Sequence, residues 1–117
     1  MNIMNVETIP VGLVPSPASP VGGTAMQLTI TVNTAPSADT TVQIDCNDYG
    51  LLTSPSGSWP YQAPVAAGST TATITLGTNS VVRSTGVQIQ GGGASVDMTN
   101  PSNWTAAIPL TVATQSL

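Results

Sequence analysis

Three side chains with oxygen atoms suited to a cation stand within four positions: Asp45, Asn47 and Asp48. In that grouping the chemistry to consider is calcium, which takes six to eight oxygen ligands. The spacing fits no EF-hand loop and no glutamate follows, while the alternation around Asp45 puts it on the outer face of a strand. The grouping therefore reads as a turn in which Asx side chains bond their own backbone, and no metal is expected. Trp59, Pro60 and Tyr61 form the one aromatic cluster, in a chain with no phenylalanine. Such rings stack on a sugar, anchor a protein interface, or fold onto the end of their own domain, and residue type alone leaves these open. Cys46 is the single cysteine, so no internal disulfide forms, and its alternating position makes it a buried, small apolar residue. Asn103-Trp104-Thr105 matches a glycosylation acceptor, read here as a chance match.

Catalysis finds few groups to use. The chain has no histidine and no lysine, and its five acids, Glu7, Asp39, Asp45, Asp48 and Asp97, are dispersed. No Gly-x-Ser-x-Gly elbow occurs, and the triple glycine at 91–93 is followed by no helix that would hold a phosphate. Neither an enzyme nor a cofactor is expected. Charged residues make up 5% of the chain, against about 25% in ordinary domains. Arg83 is the sole cation, so the phosphate neutralisation that nucleic acids and anionic membranes require is missing.

The elements that must position these residues follow from a period of two. In residues 24–33, Met26, Leu28, Ile30 and Val32 fall on one side and Gln27, Thr29, Thr31 and Asn33 on the other. After a turn at 34–39, Val42, Ile44 and Cys46 repeat the pattern against Thr41, Gln43 and Asp45. Further strands are predicted at 51–53, 65–76 (Ala72, Ile74 and Leu76 inward), 86–90, 94–98 and 107–113, with a loop at 54–64 and a turn at the triple glycine. Pro109 falls on the outward face of the last strand, as an edge or a bulge would allow. No stretch has helical period. At 117 residues the chain fits one domain, and this pattern predicts an all-β sandwich.

Residues 1–23 read as an extended N-terminal arm with one short strand at 8–14, punctuated by Pro10, Pro15, Pro17 and Pro20; residues 24–117 read as the sandwich. Residues 1–7 have neither the basic nor the apolar region of a secretory signal, so cytoplasmic synthesis without classical export is expected.

The run Ser19-Pro-Val-Gly-Gly23, then Ala35-Pro-Ser-Ala-Asp-Thr-Thr-Val-Gln-Ile44, Ala66-Ala-Gly-Ser-Thr-Thr-Ala-Thr-Ile-Thr-Leu76 and Ser84-Thr-Gly-Val-Gln-Ile-Gln90 resembles the bacterial and phage-type immunoglobulin-like repeats. The likeness covers most of 17–112, and the stretch at 94–105 is longer than the tight hairpin usual in such repeats. A single copy without a signal is similar to the decoration, or cement, proteins on tailed-phage heads. That resemblance implies an immunoglobulin-like β-sandwich on the outer surface of a capsid, with the major capsid protein lattice as partner and a homo-oligomer as a further association. The alternatives are a cell-surface adhesin or carbohydrate-binding module, whose partner would be a glycan, and a tail or fibre appendage domain.

A nearly uncharged surface with thirty serine and threonine residues has weak electrostatic protection against association, and no lysine guards the sheet edges. Such a surface suits a protein held by neighbours. The expected partner-binding residues are Ile3, Val6, Ile9, Val11 and Leu13 in the arm, with strand addition as one route, and Trp59 and Tyr61 in the loop.

Overall fold

A computed structural model describes residues 7–114, so Ile3 and Val6 lie outside the described residues. Among the described residues eight strands form: β1 (Pro10–Ser16), β2 (Ala25–Val32), β3 (Thr40–Cys46), β4 (Leu52–Thr53), β5 (Tyr61–Val65), β6 (Thr71–Thr78), β7 (Thr85–Gly92) and β8 (Trp104–Val112). A 3-10 turn, Pro101–Asn103, precedes β8 and is capped by the Asn100 side chain, which accepts from the Ser102 N–H. The strands make two antiparallel four-stranded sheets, ordered β1-β2-β6-β4 and β5-β3-β7-β8. A parallel bridge between Val21 and Ala113 links the segment after β1 to the end of β8.

Period two decides which side chains are buried. Met26, Leu28, Ile30 and Val32 of β2 and Ile74 and Leu76 of β6 meet Val42, Ile44 and Cys46 of β3 and Val87 and Ile89 of β7 in one core cluster between the sheets. The β2–β6 register is unbroken, with Leu28 opposite Ile74 and Thr29 opposite Thr73. Each fully buried aliphatic side chain contributes roughly 1.5–3 kcal/mol relative to exposure, so the alternation itself is the main source of stability.

Several expectations change. The short strand expected at 8–14 of the arm forms at 10–16 as the edge strand β1, paired with β2 from Pro10↔Val32 to Ser16↔Gln27. Pro10 and Pro20 are fully buried and Leu13 is in the core, so this segment is built into the sandwich, at the edge position its prolines allow. The loop predicted at 54–64 gives up its last residues to β5, which tolerates Pro64 because it is an edge strand too. Residues 94–98 form turns instead of a strand. Pro109 is exposed on the edge strand β8, as its outward position in the sequence predicts.

The triple glycine does not turn the chain, because Gly91 and Gly92 are the last two residues of β7. Their lack of a side chain is required by close approach. A Cβ on Gly91 would stand 2.8 Å from Cγ of Pro10 and 3.3 Å from Cδ1 of Ile44, and one on Gly92 would stand 2.7 Å from Sδ of Met98. Gly91→Ala should therefore cost about 1–3 kcal/mol through overpacking against a proline ring that cannot rotate away. Gly86→Ala on the same strand meets only the Leu110 carbonyl oxygen at 4.0 Å. It should leave stability unchanged or raise it by about 0.5–1 kcal/mol, read from the midpoints of urea unfolding.

Candidate functional site

Of the residues expected to bind a partner in the N-terminal segment, Val11 stands exposed on β1, Ile9 precedes the strand and Leu13 faces inward. Leu13 points into the core at 5% exposure, so its side chain faces no partner. Val14 follows on the outer face at 58% exposure. The register shift between Pro10 and Gly12 breaks the alternation and leaves Val11 51% exposed as well. Ile9 is half-buried and fixed by Asn33: the Ile9 N–H donates to Asn33 Oδ1 at 2.9 Å, and the Asn33 N–H donates to the Ile9 carbonyl at 3.1 Å. Asn33 Nδ2 also donates to the Glu7 carbonyl at 3.0 Å. Residues 7–9 are thus held beside the end of β2, and β1 exposes a pair of valines, while Val21, Tyr49 and Val82 are exposed elsewhere on the surface.

The aromatic loop is arranged differently from its sequence order. Tyr61 opens β5 opposite Ile44 and packs half-buried on the core. Trp59 stacks on Tyr49, with ring centroids 6.3 Å apart and planes 8° from parallel, and its Nε1 donates to the Leu52 carbonyl at 3.2 Å. Tyr49 is 58% exposed, so it supplies the outer ring of the pair. Nothing in the sequence separates Tyr49 from a plain turn residue; its partner is ten positions away.

Asp45, Asn47 and Asp48 are each engaged within the protein. Asp48 Oδ1 accepts from the Gly50 N–H at 3.1 Å, the Asx turn that the spacing predicts. Asn47 Oδ1 accepts from the Gln88 N–H at 2.8 Å. Asp45 corrects an expectation: it lies on the outer face of β3 but is 5% exposed. Its Oδ1 accepts from the Cys46 N–H at 2.8 Å and its Oδ2 from the Tyr49 hydroxyl at 3.3 Å. Partial desolvation first, then the hydrogen bond to Asp45, raises the Tyr49 pKa. Among the described residues no three of His, Cys, Asp and Glu converge.

Gln43 and Gln90, neighbours of Asp45 on the outer face of the second sheet, are buried too. Gln43 Nε2 donates to the carbonyls of Gly93 and Val96, both at 2.7 Å, and so fixes the 93–100 loop over the sheet. Two buried glutamines on an outer face carry no periodic signal, because outward polar residues are read as solvated. At the other end of β3 a broad groove of about 770 Å³ is lined by Glu7, Thr34, Asp39, Thr41, Ala94 and Ser95. Asp39 Oδ1 is already bound there to the Ala67 N–H at 2.9 Å.

No protein-family model matches the chain, and the search of curated proteins finds no match.

Cys46 is free and buried, and its thiol donates to the Asp48 carbonyl at 3.5 Å. Burial pushes its pKa up from 9.0 to about 11; the Asp48 backbone contact, the next-largest cause, opposes the rise, and the Asp45 and Asp48 carboxylates add to it. Between those two values the unfolded chain has released a proton that the folded chain keeps, so stability falls as pH rises from about 9 to about 11. Across that window the urea midpoint of the wild type should drop more than that of Cys46→Ala. In the folded protein at pH 8 the thiol should resist a disulfide reagent that labels it promptly in urea.

Proposed function

We propose that this chain is an immunoglobulin-like β-sandwich that acts as a non-enzymatic decoration protein, binding the outer surface of a phage capsid and stabilising the shell. The strand orders β1-β2-β6-β4 and β5-β3-β7-β8 support the immunoglobulin-like reading, as does the parallel bridge from Val21 to Ala113. The observation that carries the functional reading is the exposed valine pair, Val11 and Val14, on an edge strand of a domain with one cation. Covering the exposed half of each valine at a subunit junction contributes on the order of 1 kcal/mol per side chain. Repetition over a lattice multiplies that small term, and a surface poor in charge loses little hydration when it is covered.

Removing residues 2–16 is a poor test, because it takes Pro10 and Leu13 out of the core. The double variant Val11→Asp/Val14→Asp alters only exposed positions. Its occupancy on purified capsids, measured by quantitative gel analysis of sedimented particles, should fall at least tenfold while circular dichroism and the urea midpoint stay as in the wild type. Full occupancy by the folded variant rejects the reading.

A further inference from the structure

The outer strands of the two sheets are β1, β4, β5 and β8. Three of them carry the devices that stop an edge from pairing with another chain. β1 has Pro10, Pro15 and a register shift, β8 has Pro109 and a shift opposite Gly91 and Gly92, and β5 has Pro64. β4 is different, because it pairs with β6 only at Leu52↔Thr78 and Thr53↔Gly77. Beyond it, residues 71–76 of β6 have no hydrogen-bonded strand on that side among the described residues, although β5 of the other sheet packs near β6, and they contain no proline, charge or register shift.

The backbone groups on that side can be identified. The Thr78 N–H donates to the Thr24 carbonyl, and the Val32 N–H donates to the Thr70 carbonyl, so even-numbered residues face β2. Alternate residues of an antiparallel ladder turn their groups to opposite sides. Thr71, Thr73 and Thr75 therefore direct their N–H and C=O groups away from β2. The Asn79 N–H has the same parity and donates to Leu51 on the β4 side. Three donors and three acceptors line an uncharged edge.

We infer that this edge pairs with the same edge of a second copy of the chain, about a two-fold axis at Thr73. The sequence Thr71-Ala-Thr-Ile-Thr75 is self-complementary in that register. Thr73 meets Thr73 and Thr71 meets Thr75 on the outer face, while on the inner face small Ala72 meets large Ile74. The chain carries a net charge of −4, yet β2, β4 and β6 contain no ionisable residue, so two copies can approach at this edge without like charges facing each other. Pairing would join two four-stranded sheets into one of eight. Five residues span about 17 Å at ~3.4 Å each, a short contact for a stable dimer, so the association is reversible and concentration-dependent. It is independent of the shell reading, because β1 lies at the opposite edge of this sheet.

Sedimentation velocity over a concentration series of the full chain tests the pairing. The wild type should show a monomer–dimer equilibrium. The exposed Thr73 side chain tolerates charge without touching the core, and Thr73→Lys puts two cations face to face at the axis. Thr73→Lys and Thr73→Asp should each raise the dissociation constant at least tenfold, and an equimolar mixture of the two should restore dimer. Amides of Thr71, Thr73 and Thr75 should gain exchange protection as wild-type concentration rises. A wild type that stays monomeric to millimolar concentration, a dimer that Thr73→Lys leaves intact, or a mixture that restores nothing overturns the inference. Val11→Asp/Val14→Asp should leave the dimer unchanged, so loss of capsid binding and loss of pairing are read separately.

Discussion

The contact of Pro10 with Gly91 ties the two sheets together on their open side. Pro10 heads the edge strand of one sheet, Gly91 lies near the end of a central strand of the other, and no Cβ fits between Gly91 and the proline ring. The Thr105 hydroxyl of β8 adds a hydrogen bond to the Pro10 carbonyl, so an edge strand of each sheet meets there. With β1 held at that point, Leu13 enters the core and the register shift that exposes Val11 follows. Gly92, one residue on, faces the opposite way and receives Met98. Two adjacent glycines thus admit a strand on the inner face and a loop on the outer face of the same sheet.

A chain with six charged residues must satisfy buried polar groups by other means. Amides and hydroxyls do much of it here, although the buried Gln90 Oε1 has no hydrogen-bond partner among the described residues. Gln43 serves two loop carbonyls, Asn33 fixes both Ile9 and Glu7, and Thr78 Oγ1 donates toward the carbonyls of Val21 and Thr24. Neutral donors cost less to desolvate than ammonium groups, so they can be buried at a sheet surface where a lysine would stay in water. The same economy applies to edges, where proline and register shifts replace the lysines other sheets use.

How much of this the sequence reveals depends on whether a residue's role is periodic. β2, β3 and β6 are legible because a half-buried strand must alternate, and Met26, Leu28, Ile30, Val42, Ile44, Ile74 and Leu76 do. The role of Asp45 is hidden because alternation reports the face of a strand and not whether that face is covered; Tyr49 comes from outside the strand. Gly91 and Gly92 are misread for a related reason. Glycine signals a turn when its backbone freedom is used, whereas here its missing side chain is used, and the atoms demanding it belong to Pro10 and Met98. β5 is obscured by Pro64, since a proline excludes a central strand and says nothing against an edge.

The exposed surface is divided by the same constraints. The outer face of the second sheet is partly occupied by the chain's own 93–100 loop, which Gln43 holds down. The first sheet keeps its outer face open, with Gln27, Thr71, Thr73 and Thr75 exposed in a field that carries no charge. Its two edges then differ in kind. At β1 the backbone is guarded by proline and the side chains Val11 and Val14 are apolar, so that edge favours burial of side-chain area. Along β6 the side chains are polar and the backbone is unguarded, so that edge favours a ladder of main-chain hydrogen bonds. Apolar burial is non-directional and tolerates a variety of facing surfaces, whereas a ladder demands an extended strand in register. One sheet therefore presents two chemically distinct sides, and occupation of one leaves the other free.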